Sequence, residues 1–298
     1  MSPYLIYTDS AADMPAEAFR RHDIHVIPMD YMLDGTPVTF YTDSPDHDRL
    51  CRELFEAQRR GADVHTSQIT PFRYTEIWEP ELEAGRDILY ICFSSGMSTT
   101  WQNACSAAED LRKKYPERQL RVVDSLSATA GQGLLTSAAA INRDEHQMPL
   151  EENARWLEEH RLQVCHRFTV GDLDYLHRGG RISGAAARIG GLLEIKPLLI
   201  IDDKGELEIV GKVSGRHLAV RRLAKAYSQE SGVPGVPDEL YVGHTGNEED
   251  LAFLLEKLRE AVPPQTRIET IFETPIIGAH TGPWFLSVCG WGFHRKID

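Results

Sequence analysis

The clearest block in the hydrophobic pattern is Ile88-Leu89-Tyr90-Ile91-Cys92-Phe93, apolar at every position. Such a run predicts a parallel strand buried on both faces. The chain then turns through Ser94-Ser95-Gly96-Met97-Ser98, and Trp101, Ala104, Cys105, Ala108 and Leu111 recur behind it at helical spacing. Thr99-Thr100-Trp101-Gln102 has the form of a capping box at the start of that helix. Related units flank it. Residues 4–7 predict a short strand ending in Thr8-Asp9-Ser10, with Asp13 as the cap of a helix over 14–21 and a strand over 24–28. Residues 30–43 are aromatic and turn-rich, an excursion from the alternation. Ser44-Pro45 predicts a helix start, with Ser as cap, Pro in the first turn and Leu50, Cys51, Leu54 and Phe55 as the apolar face. Residues 64–68 read as a hydroxyl-bearing loop, and Thr70-Pro71 caps a helix over 72–83. A strand over 120–125 and a helix over 133–141 continue the pattern. Strands alternating with amphipathic helices define an α/β unit with a mostly parallel sheet and flanking helices.

The pattern changes near residue 161. Residues 163–170 alternate as a strand, 172–177 form a helical turn, and Arg178-Gly179-Gly180-Arg181-Ile182-Ser183 is a basic glycine-rich loop. Lys196-Pro197 leads into an apolar strand, and Asp202-Asp203-Lys204-Gly205 turns it back on a second strand from Leu207, a hairpin that requires antiparallel pairing. Helices over 215–231 and 248–261 surround a strand over 240–243. A strand over 267–272, a tight polar turn over 278–283 and a final strand over 285–289 follow. The expected architecture is therefore α/β in two domains. Residues 1–161 carry the mostly parallel sheet, and 162–298 carry a mixed sheet with helices.

Composition narrows the function classes. At 298 residues with 42% hydrophobic and 26% charged positions, the chain can build a large soluble core. A net charge of −13 argues against a broad nucleic-acid surface, since phosphate contacts need clustered cations. No apolar run reaches the ~18 residues of a transmembrane helix, and the N-terminus has no basic segment of the signal-peptide kind, so the expected location is cytoplasmic, with at most transient membrane contact. The 5 cysteines are widely spaced and mostly lie in apolar runs, as core hydrophobes of a reducing compartment do.

Most enzyme signatures fail. Gly131-Gln132-Gly133-Leu134-Leu135-Thr136 lacks the third glycine of a dinucleotide fingerprint and suits the start of a helix better. There is no phosphate loop, no nucleophile elbow and no zinc motif. What repeats is one kind of polar chemistry: Thr66-Ser67, Ser94-Ser95 and His280-Thr281 place neutral hydrogen-bond donors in turns at element ends. The first two turns precede helices and alone read as caps, and His280 alone reads as a structural histidine. Together they suit a carboxylate or phosphate held without a tight ion pair. The glycines between Arg178 and Arg181 let backbone and guanidinium approach an anion or a partner.

The chain resembles the DegV family of bacterial fatty-acid-binding proteins along nearly its whole length. The matching segments are Tyr7-Thr8-Asp9-Ser10 with Asp13, Ile27-Pro28-Met29, Thr66-Ser67-Gln68, Ser94-Ser95-Gly96-Met97-Ser98 and Asp124-Ser125. They continue with Asp172-Leu173-Asp174-Tyr175-Leu176, Gly179-Gly180-Arg181-Ile182, Ile195-Lys196-Pro197, Gly211-Lys212-Val213 and His280-Thr281-Gly282-Pro283. The resemblance implies a carrier that holds one long-chain fatty acid between two domains, with no cofactor or metal. It presents the carboxylate to a separate ATP-binding fatty acid kinase, which makes an acyl phosphate for phospholipid synthesis. By motif matching, Thr66, Ser95 and His280 contact the carboxylate, with Ser67, Ser94 and Thr281 beside them. Arg181 sits near the head group or in the kinase-docking surface. The alternatives from other classes are a hydrolase or acyltransferase using Ser95 with His280, and a sensor of another small carboxylate or phosphate. Three positions depart from the family pattern: Ile69 after Ser67-Gln68, Ser98-Thr99-Thr100-Trp101 for Ser-Gly-Thr-Tyr, and Trp284 for a small residue. The two tryptophans are expected to narrow the acyl tunnel or to change the acyl shape it prefers.

Overall fold

The computed structural model describes residues 4–184, 194–228, 238–292 and 295. Four parallel strands form the first sheet, in the order β2-β1-β6-β7: β1 (Leu5–Asp9), β2 (Ile24–Ile27), β6 (Ile88–Cys92) and β7 (Leu120–Asp124). Strands β1 and β6 are buried at every position, as expected for central parallel strands covered on both faces. The second sheet is mixed, in the order β10-β9-β8-β13-β11-β12. Its strands are β8 (Val164–Thr169), β9 (Ile195–Ile201), β10 (Leu207–Ser214), β11 (Glu239–His244), β12 (Arg267–Phe272) and β13 (Leu286–Trp291). Among the described residues of this sheet, only the β11–β12 pair is parallel. The α/β class, with a parallel sheet first and a mixed sheet second, is the one the sequence predicts.

The aromatic excursion is a third, antiparallel sheet, β4-β3-β5, built from β3 (Met29–Leu33), β4 (Thr36–Phe40) and β5 (Val64–Thr66). Residues 64–66 are thus a strand edge where the sequence predicts a loop. Three residues are too short a run to show an alternation.

The helices are α1 (Ala16–Arg21), α2 (His47–Arg59), α3 (Pro71–Glu83), α4 (Thr100–Lys114), α5 (Thr129–Asp144), α6 (Leu150–His160) and α7 (Asp174–Arg178). In the mixed-sheet half they continue as α8 (Arg216–Ser228), α9 (Glu248–Ala261) and α10 (Pro275–Thr281). The predicted end of α8 at Ser231 lies outside the described residues. Helix α5 is buried nearly all round because it packs against strands of both the parallel and the mixed sheet. That explains its glycines: a Cβ at Gly133 would fall 2.0 Å from the Asp13 carbonyl, and one at Gly131 would fall 1.9 Å from His166 Nε2.

Several predicted caps are corrected. Thr99 is the N-cap of α4, yet its hydroxyl donates to Gln68 Oε1 and not to its own helix, so no capping box forms. Asp13 does not cap α1, which starts after Pro15; its Oδ1 accepts from the Thr274 amide at 3.1 Å, across the molecule. Helix α2 starts two residues later than predicted, after Asp46, and Ser44 Oγ accepts only from the Asp46 amide at 3.2 Å. In each case a tertiary or turn partner outcompetes the local cap. Thr70 does cap α3, accepting from the Arg73 amide at 3.3 Å.

Beside the junction between the sheets, buried Arg295 donates to the carbonyls of Leu126, Arg161 and Asp202 and to Ser127 Oγ. Its burial lowers the guanidinium pKa to about 10.

Candidate functional site

The carboxyl ends of β6 and β7 face the mixed sheet, where a crevice outside an α/β sheet is expected to bind ligands. A cavity of ≈ 50 Å³ lies there. Its walls are Phe93 and Met97 after β6, Phe168 on β8, Ile201 and Leu207 of the hairpin, and Phe285 before β13. One end is closed by His280, Thr281 and Arg181.

His280 is placed by α10, not by the polar turn the sequence predicts. Thr274 caps that helix and Pro275 occupies its first turn, so the polar residues of 278–283 fall in a last helical turn ending at Gly282, with φ of 76°. The helix lies hard against its neighbours. A Cβ on Gly278 would meet the Phe55 ring at 2.5 Å, and Gln58 Nε2 donates to the Gly278 carbonyl at 2.9 Å. His280 Nε2 is 2.8 Å from Thr66 Oγ1 on β5, so the small antiparallel sheet reaches across to the helix of the other half. Nδ1 has no hydrogen-bond partner and faces Gly179, where a Cβ would stand 2.2 Å away. Burial, with Arg181 and His65 adding, pulls the His280 pKa down to about 3, so the ring is neutral at physiological pH.

Arg181 Nε donates to the Met97 carbonyl at 3.2 Å, and Nη1 donates to the Gly179 carbonyl. The guanidinium thereby ties the glycine-rich loop to the serine turn, and burial lowers its pKa. Thr281 is buried and gives its hydroxyl to the Ile277 carbonyl at 3.3 Å. Ser67 is exposed, with its amide bonded to the Asp30 carbonyl.

The serine turn has a different arrangement. Ser94 is fully buried, and its Oγ donates to the Gly205 carbonyl at 2.8 Å while accepting from the Gly96 amide at 3.2 Å. The amide of Ser95 donates to Asp124 Oδ1 at 3.1 Å. Neither serine lines the cavity, which Met97 reaches from the same turn. The structure therefore brings Thr66, His280 and Arg181 together at one end, and sets Ser94 and Ser95 against the β9–β10 turn.

Two other expectations meet the geometry. A Ser95–His280 catalytic pair has no support, because His280 Nε2 is bonded to Thr66 and no acid orients Nδ1. The tryptophans do not narrow the cavity. Trp284 is 46% exposed with the Arg59 guanidinium 5.2 Å from its ring, and Trp101 is also absent from the lining.

Several lining and supporting groups escaped the sequence reading. Asp9, fully buried, accepts from Tyr90 Oη at 2.7 Å, the Phe93 amide at 2.9 Å and Gln132 Nε2 at 3.1 Å, fixing the end of β6. His166 lines the cavity two residues before Phe168 on the same strand face; the alternation of β8 carried that signal. Asp13 and Glu273 are both wholly buried, and each carboxyl pKa is raised, by burial first. Asp13 Oδ2 and both Glu273 oxygens have no donor, and burial together with the nearness of the two carboxyls favours their protonated forms behind the start of α10.

Among the described residues no group of His, Cys, Asp and Glu is arranged to hold a metal ion, and no helix is long and apolar enough to cross a membrane.

The two sheets of this α/β frame thus enclose an apolar cavity with a polar end. The family model described as "Uncharacterised protein, DegV family" matches residues 4–291, and the chain belongs to that family. A DegV domain-containing protein of Clostridium perfringens is 36% identical over 288 residues, covering 97% of each chain. The structure of a DegV family protein from Thermus thermophilus, described by its fatty acid binding, matches with a TM-score of 0.82 at 28% identity, covering 98% of this chain and 100% of that one. That of DegV from Bacillus subtilis, described as a fatty acid binding protein, matches with a TM-score of 0.80 at 27% identity over 98% and 100%.

Proposed function

We propose that this protein is a carrier that holds one long-chain fatty acid between domains 1–161 and 162–298 and presents its carboxylate to a separate ATP-dependent fatty acid kinase. The observation that carries the reading is an apolar cavity closed by a neutral imidazole, a hydroxyl and a guanidinium. The head group meets Thr66, His280 and Arg181, with Ser67, Ser95 and Thr281 around it and Ser94 behind them, holding the serine turn to Gly205. The fatty-acid-binding relatives support the same ligand class.

Burial of methylenes contributes ~0.8 kcal/mol each, on the order of 10 kcal/mol gross for a long chain. Hydrogen bonds to a charged head group contribute ~1.5–3 kcal/mol each. The chain therefore dominates retention, and the polar end sets orientation. At ≈ 50 Å³ the cavity has room for a few waters only, at roughly 10–15 Å³ each. An acyl chain must part its walls, and Met97 and Leu207, contributed by the two halves, stand where they meet.

The test reads two quantities on one preparation. Denaturing mass spectrometry measures fatty acid released from the purified protein, and added ATP with an ATP-binding kinase subunit measures acyl phosphate. Ser95→Ala is expected to lower acyl phosphate more than bound lipid. A covalent acyl-serine, or release of a different carboxylate or phosphate, overturns the carrier reading; equal loss of both quantities overturns the division of roles.

A further inference from the structure

The strands of the parallel sheet diverge at one place. Strand β1 stays paired with β2 as far as Asp9, and β6 stays paired with β7 as far as Cys92. Between β1 and β6 the ladder stops two residues earlier, at Tyr7 and Tyr90. The chain lays β2 on one side of β1 and β6 on the other. This gap is therefore the sheet's topological switch point, where a crevice opens at the carboxyl ends of the strands.

Side chains close the gap. Thr8 Oγ1 donates to the Ile91 carbonyl at 3.1 Å, and Gln132, reaching in from α5, donates to the same carbonyl at 3.3 Å. At the centre is Asp9, which is fully buried. Its Oδ2 accepts from Tyr90 Oη at 2.7 Å and from the Phe93 amide at 2.9 Å. Its Oδ1 accepts from the Ala11 amide at 3.0 Å and from Gln132 Nε2 at 3.1 Å. Burial raises the carboxyl pKa, and all four partners donate and so favour the ionised form.

These donors lead to two walls of the cavity. Phe93 lines it and is followed directly by Ser94 and Ser95. The Ala11 carbonyl accepts at 2.8 Å from the amide of Thr129, which lines the cavity from the start of α5, one turn before Gln132. From the β7 side Asp124 holds the serine turn through the Ser95 amide. On the β1 side the ladder has already ended, and the Phe93 amide meets the Asp9 carboxylate instead of a strand. We infer that Asp9 is a positioning residue for head-group presentation: it sets the serine turn against the start of α5 and touches no ligand itself. The inference rests on the fatty-acid carrier reading and adds the buried group that holds Ser95 in place.

The full chain loaded with octadecanoate is given ATP and an ATP-binding kinase subunit. Acyl phosphate formation yields kcat and KM for the loaded carrier, and denaturing mass spectrometry reads the lipid retained per folded molecule. Asp9→Ala deprives the Phe93 amide of its acceptor and should lower kcat about a hundredfold, the effect of a misplacement of about 1 Å. KM and retained lipid should hardly change. Asp9→Asn keeps one oxygen for Tyr90 and Phe93 but turns a donor on the Ala11 amide, and its kcat should fall between the two. An unchanged kcat in Asp9→Ala overturns the inference and leaves the carrier reading standing. So does a kcat that falls only in step with retained lipid, which would make Asp9 part of the cavity frame, and so does a raised KM at constant kcat. If Asp9→Ala does not fold, Asp9→Asn decides, and an unchanged kcat there overturns the inference. An unsubstituted protein that retains lipid but yields no acyl phosphate overturns presentation to a kinase, and this inference with it.

Discussion

The Ser94–Gly205 contact and the Thr66–His280 contact look alike in sequence and do different work in the fold. Each places a hydroxyl from the first half of the chain against the second half, across a long sequence separation. At the serine turn the neighbour is backbone. Ser94 Oγ is saturated by the Gly205 carbonyl and the Gly96 amide, and a Cβ on Gly96 would stand 2.6 Å from the Lys204 carbonyl. At the threonine the neighbour is an imidazole that also borders the cavity, with a second nitrogen unpaired. The first contact docks two sheets. The second brings a hydroxyl and a neutral imidazole to the edge of the cavity. What a hydroxyl at a turn does therefore depends on what the other half of the molecule sets opposite.

The largest effect expected on this comparison comes from the docking contact. Gly205 has φ of 75°, and a Cβ there would lie 2.1 Å from Ser94 Oγ. Gly205→Ala combines left-handed strain with overpacking and should cost on the order of 3 kcal/mol in urea unfolding. A loss below ~1 kcal/mol, the size of an ordinary substitution, would show that the two sheets do not lock through this turn.

Next in size is a pH effect that should belong to the His280 side alone, because Ser94 and Gly205 carry no titratable group. Asp13 bonds the Thr274 amide that starts α10, and with Glu273 it keeps a proton that an unfolded chain releases above about pH 4. The folded state then binds more protons than the unfolded one, so this pair's contribution is full below about pH 4 and is lost as pH rises through the raised folded pKa. Glu273→Gln removes that titration, and should flatten the alkaline side of the stability profile. On the acid side the sign reverses. His280 stays neutral down to about 3 when folded, whereas an unfolded histidine charges near pH 6.5, so stability falls as pH drops through that window. Chemical unfolding across pH 4–9 measures both limbs, and an unchanged alkaline slope in Glu273→Gln would show that this pair does not retain a proton in the folded state.

The smallest effect separates glue from ligand contact directly. Ser94→Ala leaves the Gly205 carbonyl and the Gly96 amide without their partner and should cost about 1–2 kcal/mol of stability. Bound lipid per folded molecule should not change. A marked loss of lipid without loss of stability would return Ser94 to the head-group site.

Much of the frame was legible in the chain. The continuous apolar runs at β1 and β6, the hairpin turn before Leu207 and the change of pattern near residue 161 specify a parallel sheet followed by a mixed one, because strand burial and turn chemistry are written in residues close together. Thr70 could be read as a cap for the same reason. Asp13, Ser44 and Thr99 could not be read as they are used. A short polar side chain takes the partner that tertiary packing supplies, and for Asp13 and Thr99 that partner lies outside the helix it was expected to cap.

What the sequence determined by itself is the class of the protein: the order of its elements, its family, and the set of turns whose hydroxyls and imidazole can meet an anion. What each of them faces was decided only in three dimensions. Ser94 is spent on Gly205, Thr66 is turned to His280, Trp284 lies outside with Arg59, and His166 packs its Nε2 against Gly131. Local propensity acts over a few residues, whereas each of these outcomes depends on a partner brought from elsewhere in the chain, and the burial that sets the protonation of His166 and His280 exists only once both halves have closed around them.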